Sequence, residues 1–175
     1  MAFWASILHC ARGTVLRQAQ DNRGIAQDPP PPPVRPGPAG ARHCAAPVIG
    51  PGFLDRLHAD AARAHPQECC GLLLGTGRRI TALLPARNVH PAPLTHFEID
   101  PQTLIDAHRA ARAGGPQVLG YYHSHPSGPP RPSATDAAMA AGDGRIWAIV
   151  GEGDVTFWRD GRNGFEALPY SVSDR

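Results

Sequence analysis

The sequence predicts an α/β protein of the α+β type, in which helices flank a mixed β-sheet. Two observations lead to this prediction. Segments with helical spacing are interleaved along the chain with short apolar segments typical of strands. Some neighbouring strand segments are separated only by glycine turns, as in antiparallel pairs, whereas others are separated by a helix. A sheet with both parallel and antiparallel pairs, covered by helices, satisfies both patterns.

Three helices are predicted. The first, residues 51–65, stops at Pro66 and carries apolar residues at helical spacing, namely Phe53, Leu54, Leu57, Ala61 and Ala64. The second, residues 101–115, has proline near its start and glycines at its end. The third, residues 133–142, is short. Strands are predicted over residues 69–77, 78–89, 96–100, 117–125, 145–151 and 154–161, with residues 164–170 as one further candidate.

The first 47 residues differ from the rest of the chain. The stretch "QDPPPPPVRPGPAGARHCAAP" is rich in proline, which predicts a disordered extension over residues 1–47 and a single domain over residues 48–175. Further upstream, "FWASILHCARGTVLRQA" has helical potential. Its apolar run is short and is interrupted by His9 and Arg12, which argues against a signal peptide. A small docking helix and a true start codon downstream of this segment both stay open.

Composition excludes several classes of protein. The formal net charge of +2 is too small to suggest nucleic-acid binding. No run of 18 apolar residues is present, so no membrane span is predicted. The four cysteines form no CxxC pair, which predicts buried, reduced thiols and a cytoplasmic location. A cysteine nucleophile activated by histidine stays open as an alternative.

The stretch "GYYHSHPSGPPRPSATD" combines residues that could meet at a metal ion. His123 and His125 are two apart at the end of a predicted strand, so both imidazoles point to the same side. Asp136 lies one helical turn after Ser133, at the start of the next helix. Two histidines and one carboxylate are three of the ligands that zinc prefers. With water as the fourth ligand they make a catalytic rather than a structural site.

Each part of this pattern also has a simpler interpretation. Taken alone, Ser133 and Asp136 favour a helix-capping box. An isolated His-x-His is more often incidental than ligating, and the other histidines are interpreted as surface or packing residues. A zinc nucleobase deaminase would need H-x-E and P-C-x-x-C, which are absent. The joint spacing of the two motifs is what favours a metal site.

That joint spacing resembles the JAMM metalloproteases, or MPN-plus domain. The family pattern is an upstream glutamate, then H-S/T-H-P, six residues and S-x-x-D. Residues 123–126, Ser133 and Asp136 fit it, and Glu68 in "HPQECCGLLLG" matches the glutamate. The stretch "NVHPAPLTHFEIDP" is similar to the bacterial and archaeal branch. The resemblance covers residues 48–165 and implies the family's cytidine-deaminase-like fold.

The resemblance also implies a function. His123, His125 and Asp136 would bind Zn²⁺, Glu68 would act as general base, and Ser133 would stabilise the oxyanion. Ser124, on the other side of the strand, would support the site, and the loop at residues 126–132 would form one wall. The expected reaction is hydrolysis of the bond after the C-terminal Gly-Gly tail of a ubiquitin-like or sulfur-carrier protein. The alternative is a non-catalytic module that binds such tails.

Overall fold

The computed structural model describes residues 46–173. The predicted disordered extension at residues 1–47 lies outside them apart from its last two residues, and so does the proposed docking helix. Within the described part of the chain, no helix combines the length and the apolar character needed to cross a membrane.

Three helices form close to their predicted positions. They are α1 (Phe53–Ala64), α2 (Pro101–Arg112) and α3 (Ala134–Met139). Helix α2 begins after Asp100, whose side chain accepts a hydrogen bond from Gln102 N. Helix α3 begins after Ser133, whose hydroxyl accepts a hydrogen bond from the third residue of the helix. Polar caps therefore set the start of the two helices that follow loops.

In the part of the chain that the structure describes, eight strands form one mixed sheet, which confirms the predicted architecture. They are β1 (Val48–Ile49), β2 (Cys70–Thr76), β3 (Arg79–Ala86), β4 (Gln117–His125), β5 (Ile146–Gly151), β6 (Asp154–Gly161), β7 (Gly164–Leu168) and β8 (Ser171–Val172). Their order in the sheet is β7-β6-β5-β4-β2-β3-β1-β8. The pairs β4–β5, β1–β3 and β1–β8 are parallel, and the other pairs are antiparallel.

The strand prediction was wrong in two places. Residues 96–100 form no strand and make only one antiparallel bridge, between Asn88 and Ile99. Two backbone hydrogen bonds, from Val89 N to Glu98 O and from Asp100 N to Arg87 O, hold this segment together with side-chain bonds of Asn88. Strands β1 and β8 were not predicted, because two residues are too few to show a period of two.

The sheet curls until its two ends approach each other. Strands β7 and β8 occupy opposite ends of the sheet order, yet only Pro169 and Tyr170 separate them along the chain. Eight flat strands about 4.8 Å apart would place the outer two about 34 Å from each other. The connecting residues can bridge only about 11 Å. A strongly curled sheet follows from this connection.

The core lies between helix α1 and the sheet. Phe53 and Leu57 of α1 are buried in one cluster with residues of β1 to β6, including Leu73 and Phe157. The hydroxyl of Tyr122 on β4 also donates a 2.7 Å hydrogen bond to the buried Asp60 of α1. Apolar burial and this polar link fix the C-terminal half of β4, the part of the strand that carries the two histidines.

Candidate active site

The two histidines of the opening motif lie on the same side of the end of β4. His123 is fully buried. Its ring stacks on Phe97, with the ring centroids 4.4 Å apart. It also packs edge-to-face with Trp147, with the ring centroids 5.7 Å apart. His125 is at the rim of the site, with 12% of its side chain exposed. The buried ring is thus held by aromatic packing, and the outer one faces the opening.

Helix α3 brings Asp136 to these histidines. Ser133 N donates a 2.7 Å hydrogen bond to Asp136 Oδ2, and Asp136 N donates a 3.1 Å bond to Ser133 Oγ. These two bonds are the capping box that the sequence pattern allowed. The cap therefore coexists with the cluster: the carboxylate that closes the helix start also faces both imidazoles.

The three side chains are spaced as ligands of one ion. Nε2 of His123 lies 3.0 Å from Nε2 of His125, and the two nitrogens lie 3.2 and 3.3 Å from carboxylate oxygens of Asp136. In a tetrahedral zinc site with bonds of about 2.0–2.1 Å, neighbouring ligand atoms are about 3.3–3.4 Å apart. The donor set and its spacing fit a metal ion, and this cluster could bind one.

Two of the three side chains, Asp136 and His123, have the protonation that suits metal binding. Burial alone would raise the pKa of Asp136, but hydrogen bonds from both histidines and the charge of His123 outweigh it and hold that pKa below its usual range. Burial lowers the pKa of His123 despite the opposing effect of Asp136. An ionised carboxylate and a neutral imidazole are the forms that ligate metals. Burial would lower the pKa of His125, but hydrogen bonds to Asp136 and to Pro129 O outweigh it and raise that pKa.

Glu68 lies just before β2 and is 6% exposed. Its backbone is tied to the segment at residues 88–100, because Glu68 N donates to Pro93 O at 2.8 Å. Burial raises the pKa of Glu68 to about 7, His125 opposes that rise, and Asp136 adds to it. A carboxyl group that titrates near neutral pH and is electrostatically coupled to the cluster is suited to proton transfer.

Asn88 is a residue of this region that the sequence analysis did not single out. Its side-chain nitrogen donates to Glu68 O at 3.1 Å and to His96 O at 3.0 Å. Its side-chain oxygen accepts from His90 N at 3.0 Å and from Glu98 N at 3.1 Å. One amide thus holds the segment that also carries Phe97 over the buried histidine. Asn88 opens the stretch that resembles the bacterial and archaeal branch, but that resemblance gave it no role of its own, and its bond to Glu68 O spans 20 positions.

The cysteines next to Glu68 are poorly suited to act as nucleophiles. Cys69 and Cys70 are buried and free, as predicted, whereas Cys10 and Cys44 lie outside the described residues. Burial raises the pKa of Cys69 to about 12, so its thiolate is scarce at neutral pH. Ser124 accepts a 2.9 Å hydrogen bond from Cys69 N, which is a supporting role on the side of β4 opposite the histidines.

Comparisons with known proteins agree with this geometry. Residues 51–161 match a family model described as prokaryotic homologs of the JAB domain. A desampylase of Haloferax volcanii is 37% identical over 99 residues, which are 55% of this chain and 71% of that protein. A probable TtuB-protein conjugate cleaving protease of Thermus thermophilus is 38% identical over 106 residues, 61% of this chain and 71% of that protein. A CysO-cysteine peptidase of Mycobacterium tuberculosis is 28% identical over 109 residues, 61% of this chain and 74% of that protein.

Solved structures share the fold. A protein of Desulfitobacterium hafniense superposes with a TM-score of 0.64 at 26% identity, over 73% of this chain and 93% of that one. A JAB1/MPN domain protein of Archaeoglobus fulgidus superposes with a TM-score of 0.51 at 25% identity, over 74% of this chain and 99% of that one.

Proposed function

Because this chain belongs to the family of prokaryotic homologs of the JAB domain, we propose that it is a zinc-dependent peptidase. Its substrate is a ubiquitin-like or sulfur-carrier protein, and it hydrolyses the bond that follows the C-terminal Gly-Gly tail. The observation that carries the proposal is the convergence of His123, His125 and Asp136 beside the buried carboxyl group of Glu68.

His123, His125 and Asp136 would hold the ion through Nε2, Nε2 and a carboxylate oxygen. A bound Zn²⁺ supplies two things at such a site: a water of lowered pKa and polarisation of the scissile carbonyl. The chain itself sets the direction of the ligands. Phe97 and Trp147 hold the ring of His123, while the capping box with Ser133 holds Asp136.

Glu68 is the general base in this mechanism. Its raised pKa, about 7 in the ion-free site, lets the carboxylate accept a proton from the attacking water and return it to the leaving amine. Glu68 would be ionised at neutral pH beside a bound cation, because a nearby positive charge favours the carboxylate. Asn88 and Pro93 hold its backbone on the carbonyl and amide sides. The carboxyl group is therefore presented to the site from a fixed position.

Ser133 donates a hydrogen bond to the carbonyl oxygen as that oxygen gains charge. Its hydroxyl at present donates to Asp136 Oδ2 at 2.7 Å and accepts from Asp136 N at 3.1 Å. Donation to substrate requires the hydroxyl hydrogen to turn away from the carboxylate. The accepted bond from the backbone amide can stay in place, so helix α3 keeps its cap during the reaction.

The substrate class is supported by what the relatives are named for. Two of them are named a probable TtuB-protein conjugate cleaving protease and a CysO-cysteine peptidase, and cleavage of a protein conjugate is the reaction proposed for this chain. A tail of two glycines suits a site with its base, its metal ligands and its proposed oxyanion donor in close proximity, because it lacks side chains. We place the reaction in the cytoplasm, which the free thiols Cys69 and Cys70 support.

The test uses a ubiquitin-like carrier from the same genome, extended after Gly-Gly by a single residue or linked to a lysine peptide. Mass spectrometry should detect a carrier that ends at Gly-Gly, a chelator should stop its formation, and added zinc should restore it. A carrier that binds to the zinc-loaded protein and stays intact would instead establish the non-catalytic binding module.

A further inference from the structure

We propose that Thr156 is a positioning residue for the metal site, acting through the proline-rich loop at residues 126–132. It holds this loop in place, so that the carbonyl of Pro129 accepts a hydrogen bond from Nδ1 of His125. The imidazole is then oriented with Nε2 available to bind the metal. The inference rests on the zinc site of the proposed function, and it assigns a role to a residue on β6, outside every motif of the family pattern.

The ring of His125 is oriented by the loop that follows it. His125 Nδ1 lies 2.9 Å from the carbonyl oxygen of Pro129. A carbonyl oxygen can only accept, so Nδ1 must carry the hydrogen of this bond. The other nitrogen, Nε2, is then the one that faces Asp136, 3.3 Å away. The Pro129 carbonyl therefore decides which nitrogen is available as a ligand.

This loop cannot anchor itself with backbone donors. Four of its seven residues are prolines, at positions 126, 129, 130 and 132, and proline has no N–H group. The backbone hydrogen bonds donated within the loop are local: Gly128 N donates to His125 O at 3.4 Å, and Arg131 N donates to Pro129 O at 2.8 Å. Neither bond ties the loop to the sheet, so the position of the Pro129 carbonyl depends on contacts from elsewhere.

Thr156 supplies that external contact. Its hydroxyl donates a hydrogen bond to the carbonyl oxygen of Pro130, the residue next to the one that orients the imidazole. Trp158 Nε1 donates to the same hydroxyl at 2.8 Å. Since the indole nitrogen can only donate, the hydroxyl hydrogen is directed to Pro130. The hydrogen bonds thus run from Trp158 through Thr156 to the loop.

Gly151 provides the space for this arrangement. A Cβ atom at Gly151 would lie 2.4 Å from Gly128 O and 2.9 Å from the carbonyl carbon of Pro129. The loop therefore rests directly on the last residue of β5. Any side chain at this position would lift the loop, and with it the carbonyl that binds His125.

Zinc affinity of the metal-free protein, measured by competition with a chelator, tests the proposal without any substrate. Thr156→Val keeps the shape and removes the hydroxyl, and it should weaken zinc binding roughly 10- to 100-fold, as for other groups that orient a ligand. Thr156→Ser should restore the affinity. Thr81→Val is the matched control, because Thr81 is exposed on β3, far from the loop in the sheet order, and its hydroxyl donates to Leu74 O at 3.5 Å.

A second pair of variants tests the loop contact itself. Gly151→Ala should weaken zinc binding as well, whereas Gly50→Ala should not, because a Cβ at Gly50 meets no atom within 4 Å. Nitrogen chemical shifts of the His125 ring give a direct readout in the metal-free protein. The wild type should carry its hydrogen on Nδ1, and Thr156→Val should populate both tautomers.

The outcomes separate this proposal from the one on which it rests. A wild-type protein that binds no zinc would overturn both. Wild-type affinity in a folded Thr156→Val variant would overturn only the role of Thr156. A Thr156→Val variant that is less stable but has unchanged affinity and an unchanged His125 tautomer would show that Thr156 is merely structural.

Discussion

Ser133 and Asp136 are joined by two reciprocal hydrogen bonds: the backbone amide of Ser133 donates to the carboxylate of Asp136, and the backbone amide of Asp136 donates to the hydroxyl of Ser133. The same carboxylate faces Nε2 of both His123 and His125. Stability of helix α3 and geometry of the metal cluster therefore depend on one pair of residues, and substitutions there must be chosen to separate the two effects.

Glycine and alanine at position 133 should separate capping from catalysis. Ser133→Ala loses the cap and should cost about 1 kcal/mol of stability, whereas Ser133→Gly should cost only a few tenths. Both lose the hydroxyl and should lower turnover by about 10²- to 10³-fold. Urea unfolding and carrier cleavage measure the two effects. Wild-type turnover in Ser133→Gly would mean that the serine only caps the helix.

The protein should bind about one zinc ion per chain, and His125→Ala should remove it. His108→Ala is a suitable control, because His108 lies on α2, interacts with Arg112 and Arg145 and is outside the cluster, so it should leave the zinc content unchanged. Elemental analysis of the purified proteins measures this directly. Equal zinc in wild type and His125→Ala would exclude His125 as a ligand.

Glu68→Gln should keep zinc and lose turnover. The substitution preserves shape but cannot accept a proton, so cleavage should slow by roughly 10²- to 10⁴-fold. Glu166→Gln, an exposed residue on β7, should cleave at the wild-type rate. Zinc content and cleavage are measured on the same samples. Loss of zinc from the Glu68→Gln protein would make Glu68 a ligand instead of a base.

The metal-free protein should report the raised pKa of Glu68 through its stability. Burial raises this pKa from 4.5 to about 7, so between these values the folded state holds a proton that the unfolded state has released. The contribution of Glu68 to stability should therefore fall as pH rises through that window. Urea unfolding at pH 4.5 and pH 7.5 measures this. The free energy of unfolding of Glu68→Gln, relative to that of the wild type, should be higher at pH 7.5 than at pH 4.5. A difference between the two proteins that is independent of pH would contradict the raised pKa.

A chain shortened to residues 46–175 should keep a cooperative melt and bind zinc. It retains Ala46 O, which accepts from Arg78, and Pro47 O, which accepts from Ser171 N. A chain that starts at Gly50 loses β1 and the buried Ile49, and should lose at least about 2 kcal/mol. Calorimetry compares the two. A large drop in melting temperature for the 46–175 chain would show that residues 1–45 stabilise the domain.

Sequence alone predicted the fold class and the cluster because both depend on short-range spacing. The strand period places His123 and His125 on one side, and the capping offset fixes Ser133 relative to Asp136. The family resemblance added Glu68, whose contacts lie far along the chain. These features are set by offsets within one element or by a recurring motif.

Other features could not be predicted because they depend on contacts across the fold. Thr156 reaches Pro130 over 26 positions, and Asn88 reaches Glu68 over 20. Both residues resemble ordinary strand-end and loop positions in the sequence. Strands β1 and β8 are likewise defined only by their neighbours, since two residues carry no periodic signal.

The curl of the sheet has a mechanical consequence. Strands β1 and β8, the first and last of the described domain, are parallel neighbours joined by bonds such as Ser173 N to Ile49 O at 2.9 Å. A pull on both ends of the domain runs along these strands, so it loads their hydrogen bonds in shear and breaks them together instead of one after another. Among the described residues 46–173, strand β8 has no partner on its outer side in the sheet, whereas β1 also pairs with β3. Under tension β8 should detach first. An unfoldase that pulls on the C-terminal end of the domain would therefore have to break the hydrogen bonds between β1 and β8 before any others in the sheet.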